Sequence, residues 1–271
     1  MGRLGDLRES FMARVCAYCR SSGTLTREHL FPDFLQKLWP TYGVNLSSAR
    51  PGKLTGPTTI RDVCRRCNNE RLSALDAYGR GFCMANVRRF VPPGGTGSLV
   101  YDYHKLARWF WKVHYNTARA DKGQPSLYHP LVRYILGDDD DAPQPQTLFV
   151  GVLKAYKTTP AERAKHRWAV IFPRAVRAAD VTLGPFQHRG SLCRSLSLNS
   201  YVFWSILWRK DFPRSERRLA VASLAEHLDM SVLTARGGTI SLRESSYPGF
   251  EVRAYLSKSG AMGPALKHFR Q

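Results

Sequence analysis

The sequence predicts an α+β protein. We expect a small cysteine-containing module, a helical segment, and a C-terminal α+β domain with a mainly antiparallel sheet. Three observations lead to this prediction: two Cys-x-x-Cys pairs occur in the first quarter of the chain, an apolar pattern with helical spacing follows them, and the later apolar runs shorten to the length of strands. The module is expected over residues 10–85 and the C-terminal domain over residues 98–271.

The two cysteine pairs are the strongest local signal. They are Cys16 with Cys19 and Cys64 with Cys67, and 44 residues separate them. A Cys-x-x-Cys turn directs both thiolates at one ion, and two such turns complete a tetrahedral Zn²⁺ site with no open position. The sequence therefore predicts one structural zinc ion that stabilises a module too small to bury a good core.

A helical pair is expected over residues 102–137, after a Pro- and Gly-rich joint at residues 91–97. Within residues 102–119, Leu106, Trp109, Phe110 and Val113 follow the i, i+3, i+4, i+7 spacing of a helix. We expect this face of the helix, which includes Trp109 and Phe110, to lie in the core. Trp111 is the best candidate for an exposed aromatic side chain. A second helix is predicted at residues 131–136, closed by Gly137.

The C-terminal domain is predicted to contain strands and one further helix. The acidic run at residues 138–145 is expected to be a solvated loop. A helix is predicted at residues 215–229 with Ser215 as its N-cap. Strands are predicted at residues 148–156, 166–172, 192–208 (in one or two pieces), 239–242 and 250–255.

Composition and charge limit the function classes. Hydrophobic residues make up 43% of the chain, which excludes wholesale disorder, and no apolar run approaches the roughly 20 residues that span a bilayer. Lys and Arg number 41 against 21 Asp and Glu, giving a formal charge of +20. We therefore expect a cytoplasmic, intracellular protein with no membrane partner and with a nucleic acid as its polyanionic partner.

Glu28, His29 and Pro32 lie after the first cysteine pair, and Asn68 follows the second pair directly. With the four cysteines, this pattern resembles the zinc-stapled members of the HNH endonuclease family over residues 14–80. The resemblance implies a ββα-metal module that hydrolyses DNA, double-stranded DNA being expected, in a bacterium or a phage-infected host. It further implies His29 as general base and Glu28 and Asn68 as ligands of one Mg²⁺ or Mn²⁺ ion.

Elementary chemistry is compatible with these roles. Adjacent strand residues point to opposite faces, so Glu28 and His29 can flank one phosphate only if the strand end is bent. One position departs from the family pattern, because Thr59 stands where an asparagine usually orients the catalytic histidine. Phosphate binding is expected from four arginines near the second cysteine pair: Arg61, Arg65, Arg66 and Arg71.

Two other functions remain open from the sequence. The first is a non-catalytic, zinc-containing protein that binds nucleic acid, which the Thr59 departure favours. The second is an adaptor for other proteins, which would bind DNA with little dependence on salt. Glu226-His227 repeats the Glu-His dipeptide without a cysteine pair nearby, and we interpret it as part of an ordinary helix.

Overall fold

The structure is a computed structural model, and it describes residues 15–39, 45–46, 59–120, 124–166, 169–171, 176–181 and 191–248. Over these ranges the protein is a mixed α+β fold with a mainly antiparallel sheet, as predicted.

A two-stranded hairpin forms the N-terminal part. Strand β1 (Leu25–His29) leads into the short helix α1 (Asp33–Leu38). The two-residue strand β2 (Asn45–Leu46) belongs to a different sheet, and β3 (Thr59–Cys64) returns to pair antiparallel with β1. A helical segment follows β3 without a break in helical backbone. It consists of a π-helical turn, the α-helix α2 and a second π-helical turn (Cys67–Leu72, Ser73–Phe82 and Cys83–Val87).

The predicted helical pair is confirmed. Helix α3 spans Tyr103–Ala120, and α4 spans Val132–Leu136 after a 3-10 helix at Pro125–Leu131. Gly137 ends α4 with a φ of 77°, a left-handed conformation that glycine adopts without steric cost.

Nine further strands follow in the described chain. From β4 to β12 they are Thr96–Tyr101, Gln146–Lys154, Tyr156–Lys157, Val170–Ile171, Val176–Asp180, Leu192–Leu198, Tyr201–Leu207, Ser231–Val232 and Gly238–Pro248.

An eight-stranded sheet dominates this part of the described chain. Its strand order is β2-β8-β9-β10-β5-β12-β4, and β11 also pairs with β5. Two pairings are parallel, β2 with β8 and β12 with β5, and the others are antiparallel. A separate two-stranded sheet joins β6 to β7.

Two predictions in this region were wrong in detail. Of the strand predicted at residues 166–172, His166 is the last residue of helix α5 (Pro160–His166), and Val170–Ile171 is a strand among the described residues. Helix α6 (Arg214–Leu228) begins one residue early, so Pro213 and not Ser215 stands at the N-cap. The strand predicted at residues 250–255 lies outside the described residues.

Helix α3 runs through the centre of the main core. The sequence prediction for Trp111 was wrong, because its side chain is fully buried along with Trp109 and Phe110. Cys83 and Cys193 are buried thiols, as predicted. One apolar cluster contains residues from both predicted domains, from Cys16 to Leu242, so the hairpin region and the sheet share a core.

Candidate functional site

Four cysteine thiols meet where the hairpin joins the helical segment. Cys16 and Cys19 precede β1, Cys64 is the last residue of β3, and Cys67 begins the first π-helical turn. The antiparallel register pairs Leu25 with Cys64, and this closure of the hairpin brings the two pairs together. All four Sγ atoms lie within 4.8 Å of one another.

The spacing of these sulfur atoms fits a metal site. Cys19 Sγ and Cys64 Sγ are 3.6 Å apart. Zn–S bonds of about 2.3 Å give a tetrahedron with S···S edges of roughly 3.8 Å, whereas a disulfide has an S–S bond of about 2.05 Å. All four residues are free cysteines. The cluster can therefore hold a structural metal ion such as zinc.

Burial and hydrogen bonds affect the four thiols differently. Burial raises the pKa of Cys16 and of Cys67. Partial burial also acts on Cys19, but hydrogen bonds with Ser21 and two neighbouring thiols outweigh it and lower the pKa of Cys19 to about 6. The main-chain N–H of Cys64 donates to Cys16 Sγ at 3.3 Å, which supports negative charge on that sulfur. Metal binding would displace protons from the two buried thiols.

Glu28 points to the inner side of the hairpin and is only 4% exposed. Its Oε1 accepts hydrogen bonds from Lys112 Nζ at 2.8 Å and from Asn116 Nδ2 at 3.1 Å. Lys112 is fully buried and also pairs with Asp76 of α2. Burial raises the pKa of Asp76, although the ammonium of Lys112 opposes this. Within the described residues no donor contacts Glu28 Oε2, so one carboxylate oxygen is fixed and the other retains its capacity to accept.

His29 is the last residue of β1, and its side chain leaves the strand on the face opposite to Glu28, as alternation in a strand requires. The side chain is half-buried. Thr59 is the cross-strand partner of His29. Among the described residues His29 Nδ1 is buried and has no hydrogen-bond partner, so Nδ1 is not bonded to the Thr59 hydroxyl.

Asn68 attaches the start of the helical segment to β1. Its Nδ2 donates to Thr26 Oγ1 at 2.9 Å and to the carbonyl of Arg27 at 2.8 Å. The Thr26 hydroxyl in turn donates to the carbonyl of Val63 at 2.8 Å. These bonds occupy the amide nitrogen of Asn68, and no donor within the described ranges contacts its Oδ1.

The structure therefore brings Asn68 to the peptide group that precedes Glu28, two residues before the end of β1 at His29. In the described part of the chain, no hydrogen bond directly joins the side chains of these three residues. The carboxylate and amide oxygens are hard donors, and their chemistry suits a divalent ion such as Mg²⁺ or Mn²⁺, which retains several waters. Lys112 supplies the positive charge that faces Glu28 in this arrangement.

The four predicted phosphate-binding arginines fall into two groups. Arg61, Arg65 and Arg66 are exposed around the second cysteine pair. Arg71 instead directs its guanidinium at the carboxylate of Asp138, with Nη1 at 3.1 Å from Oδ2 and Nη2 against Oδ1. Arg71, one of the four arginines, is therefore paired with the acidic loop through Asp138.

Arg27 was not among the phosphate-binding residues predicted from the sequence. The hairpin places it directly opposite Arg61. Both side chains are exposed. Like charges at facing positions of a hairpin repel each other, and Arg61 Nε donates to the carbonyl of Leu25 at 3.0 Å. The pairing register carried this information, and the linear sequence did not.

A polar stripe on α3 was also missed. Lys112, Tyr115, Asn116 and Arg119 follow i, i+3, i+4, i+7 spacing, and all four contact the hairpin region. Tyr115 donates to the carbonyl of Ala17 at 3.0 Å, and Arg119 lies 3.4 Å from a carboxylate oxygen of Asp62. A lysine and an asparagine at helical spacing inside an otherwise apolar, aromatic run were the available signal.

The chain matches no protein-family model, no curated protein and no solved structure. Among the helices of the described ranges, none combines the length and apolar character needed to cross a bilayer.

Proposed function

We propose that this protein is a metal-dependent endonuclease that hydrolyses phosphodiester bonds of DNA, with a zinc ion bound by its four cysteines as a structural element. His29 would act as general base, and Glu28 and Asn68 would hold one Mg²⁺ or Mn²⁺ ion. The residues that carry this proposal lie in one hairpin and the helix that follows it.

One observation supports this function above the others. The hydrogen bond from Asn68 Nδ2 to the carbonyl of Arg27 holds the start of the helix against the end of β1, beside the cysteine cluster. The bond joins the side chain of Asn68 to the peptide group before Glu28 and His29, 41 residues earlier in the chain, and so supports a site built from an amide oxygen, a carboxylate and an imidazole. General-base hydrolysis at a divalent ion needs a proton acceptor and oxygen ligands for the ion, and these three groups can supply both.

Each side chain has a defined task in this function. A neutral imidazole can accept a proton from water, and His29 is the group available for this step. Glu28 Oε2 and Asn68 Oδ1 would hold the divalent ion, which supplies positive charge to the scissile phosphate and the leaving oxygen. The cysteine cluster fixes both ends of this arrangement, because Cys67 precedes Asn68 directly and Cys19 precedes β1.

An exposed basic surface beside the site supports DNA as the partner. Five arginines contribute to it, and all are exposed: Arg20, Arg27, Arg61, Arg65 and Arg66. None of them forms an ion pair with another described residue. Phosphate neutralisation by such a surface makes affinity fall steeply with salt. We expect the charge reversal Arg65→Glu to weaken binding uniformly across DNA sequences and to reduce the salt slope by about 1.

The central test is nicking of supercoiled plasmid in the presence of Mg²⁺ or Mn²⁺. His29→Ala should abolish nicking while zinc content and the unfolding transition stay unchanged. His227→Ala is the matched control, since it removes the exposed histidine of the second Glu-His dipeptide on α6, and it should nick like the wild type. Nicking by His29→Ala at the wild-type rate would exclude His29 as the base.

A non-catalytic DNA-binding protein is the second candidate. The Nδ1 of His29 favours it, because among the described residues no hydrogen bond to that nitrogen fixes the ring in one tautomer. This candidate predicts salt-dependent DNA binding by the wild type without nicking in either metal. Binding through about six phosphates should weaken roughly a thousandfold between 50 and 200 mM salt. Measuring binding and nicking on the same preparation separates the two functions.

A further inference from the structure

Asn116 of α3 contacts both residues of the Glu28-His29 pair, although it lies far outside the module predicted from the sequence. Its Nδ2 donates to Glu28 Oε1 at 3.1 Å and to the main-chain carbonyl of His29 at 2.8 Å. The side chain is fully buried. Asn116 thus contacts the side chain of Glu28 and the main chain of His29.

The oxygen of the same amide faces the first cysteine pair. Asn116 Oδ1 accepts from the hydroxyl of Tyr18, between Cys16 and Cys19, at 2.7 Å and from Arg119 Nη2 at 2.6 Å. The guanidinium of Arg119 also lies over the Tyr18 ring, 4.9 Å from its centroid. Asn116 therefore connects the cysteine cluster to the end of β1.

All the hydrogen-bonding positions of the Asn116 side chain are occupied by residues of the hairpin region or by Arg119. An amide has two N–H donors and an oxygen with two lone pairs, and the four contacts of Asn116 match that inventory. A buried amide without such partners would be unfavourable, and a residue that only filled the core would be apolar. Lys112, one turn earlier, neutralises Glu28 and pairs with the same Oε1 that Asn116 bonds, so the two side chains together hold that oxygen.

We infer that Asn116 is a positioning residue for the Glu28-His29 pair. This inference rests on the proposed nuclease function and extends it to a helix beyond the hairpin. Asn116 fixes Oε1 of Glu28, so Oε2 keeps a constant direction, and it fixes the peptide that carries the imidazole. Groups that orient metal-binding carboxylates typically change metal affinity or activity 10- to 100-fold when they are removed.

The test compares Asn116→Ala with Asn116→Asp and with Asn199→Gly. Asn116→Asp keeps the shape of the side chain and the bonds accepted from Tyr18 and Arg119, but loses both donors. Asn199→Gly is the matched control: Asn199 is also fully buried, its Nδ2 bonds the carbonyls of Val87 and Arg88, and its φ of 58° suits glycine. It lowers stability without touching the site.

Zinc content is measured on each variant, together with two further properties. The first is plasmid nicking, resolved into kcat and KM. The second, without DNA, is the affinity for Mn²⁺ together with the NMR shift of the His29 ring C–H through a pH titration. For both Asn116 variants we expect kcat or Mn²⁺ affinity to fall 10- to 100-fold, a displaced His29 resonance, and an unchanged zinc content. Asn199→Gly should match the wild type in kcat, Mn²⁺ affinity, the His29 resonance and zinc content.

The outcomes separate this inference from the function on which it rests. A wild type that neither nicks DNA nor binds Mn²⁺ at Glu28 removes the proposed function, and the His29 resonance then decides alone whether Asn116 positions the histidine. The positioning role is overturned if the Asn116 variants behave like Asn199→Gly. It is also overturned if neither Asn116 variant folds, because Asn116 would then be a structural residue of the core.

Discussion

The hairpin and the eight-stranded sheet are stabilised by different kinds of interaction. Strand β5 of the sheet is buried on both faces over residues 147–152, with α3 on one side and the apolar cluster that includes Leu224 of α6 on the other. The hairpin has only two strands, and its inner face carries the charged residue Glu28. A two-stranded hairpin is marginal in water. The sheet is stabilised mainly by apolar burial, whereas the hairpin adds the cysteine cluster and polar contacts to the apolar side chains, such as Val63, that it contributes to the shared core.

Helix α3 belongs to both regions and shows how they are joined. Its apolar side packs on the sheet, where the Phe110 and Phe203 rings lie 4.8 Å apart. Its polar stripe, which includes Lys112 and Asn116, contacts the hairpin. The candidate site is therefore supported from a helix whose own stability comes from the apolar core.

The largest effect is expected from removing one thiol of the cysteine cluster. Cys64→Ser should reduce zinc from one ion per chain to none, since a structural zinc site contributes on the order of 10 kcal/mol to the fold that contains it. We expect the amides of β1 and β3 to lose protection from hydrogen exchange, while those of β5, β9 and β10 keep it. Zinc analysis and hydrogen exchange by mass spectrometry measure both.

Cys83→Ala is the control for that experiment, because it removes a buried thiol outside the cluster and should retain the zinc. A soluble Cys64→Ser protein that still holds one zinc ion would show that the four thiols do not form the site.

An intermediate effect is expected where the two regions meet. Lys112→Met should lower the free energy of unfolding by about 3–5 kcal/mol, because it leaves the buried carboxylate of Glu28 and the half-buried carboxylate of Asp76 without this counter-charge. Urea denaturation provides the measurement. Lys105→Met removes an exposed lysine from the same helix, and its change should stay within about 0.5 kcal/mol. Equal effects of the two substitutions would contradict a buried ion pair that joins the regions.

The same two regions explain what the sequence could and could not predict. Cys16 and Cys19 reveal their partners through a local repeat, and Gly137 marks a helix end through its own conformational freedom. Strand β4 was missed because Gly97 and Ser98 interrupt its apolar alternation. The partners of Glu28 lie more than 80 residues away, and contacts at that separation exist only once the fold has formed.

The arginines show the same limit. Arg65 and Arg66 could be assigned to the surface because they lie inside a tight turn between two cysteines. Arg71 could not be assigned, since its pairing with Asp138 depends on how the acidic loop returns to the helical segment. Arg27 gained its significance only from the register that places it opposite Arg61.

The smallest predicted effect concerns acid and belongs to the sheet side of α3. His114 is buried there, its Nε2 has no hydrogen-bond partner among the described residues, and burial together with the charge of Arg194 lowers its pKa to about 3. In the unfolded chain the pKa is about 6.5, so below that pH the unfolded state binds a proton that the folded state excludes. The free energy of unfolding should therefore fall by up to about 1.4 kcal/mol per pH unit, or about 1.6 kcal/mol between pH 6.5 and pH 5.

The measurement is urea denaturation of the wild type and of His114→Leu at both pH values. The difference between the two proteins cancels acid effects on the cysteine cluster, because both variants contain it. His114→Leu should lose about 1.6 kcal/mol less than the wild type over this interval. His227→Ala, which removes an exposed histidine, should keep the wild-type dependence. If His114→Leu is as acid-sensitive as the wild type, the acid dependence arises in the hairpin, and the division of labour between the two regions does not hold.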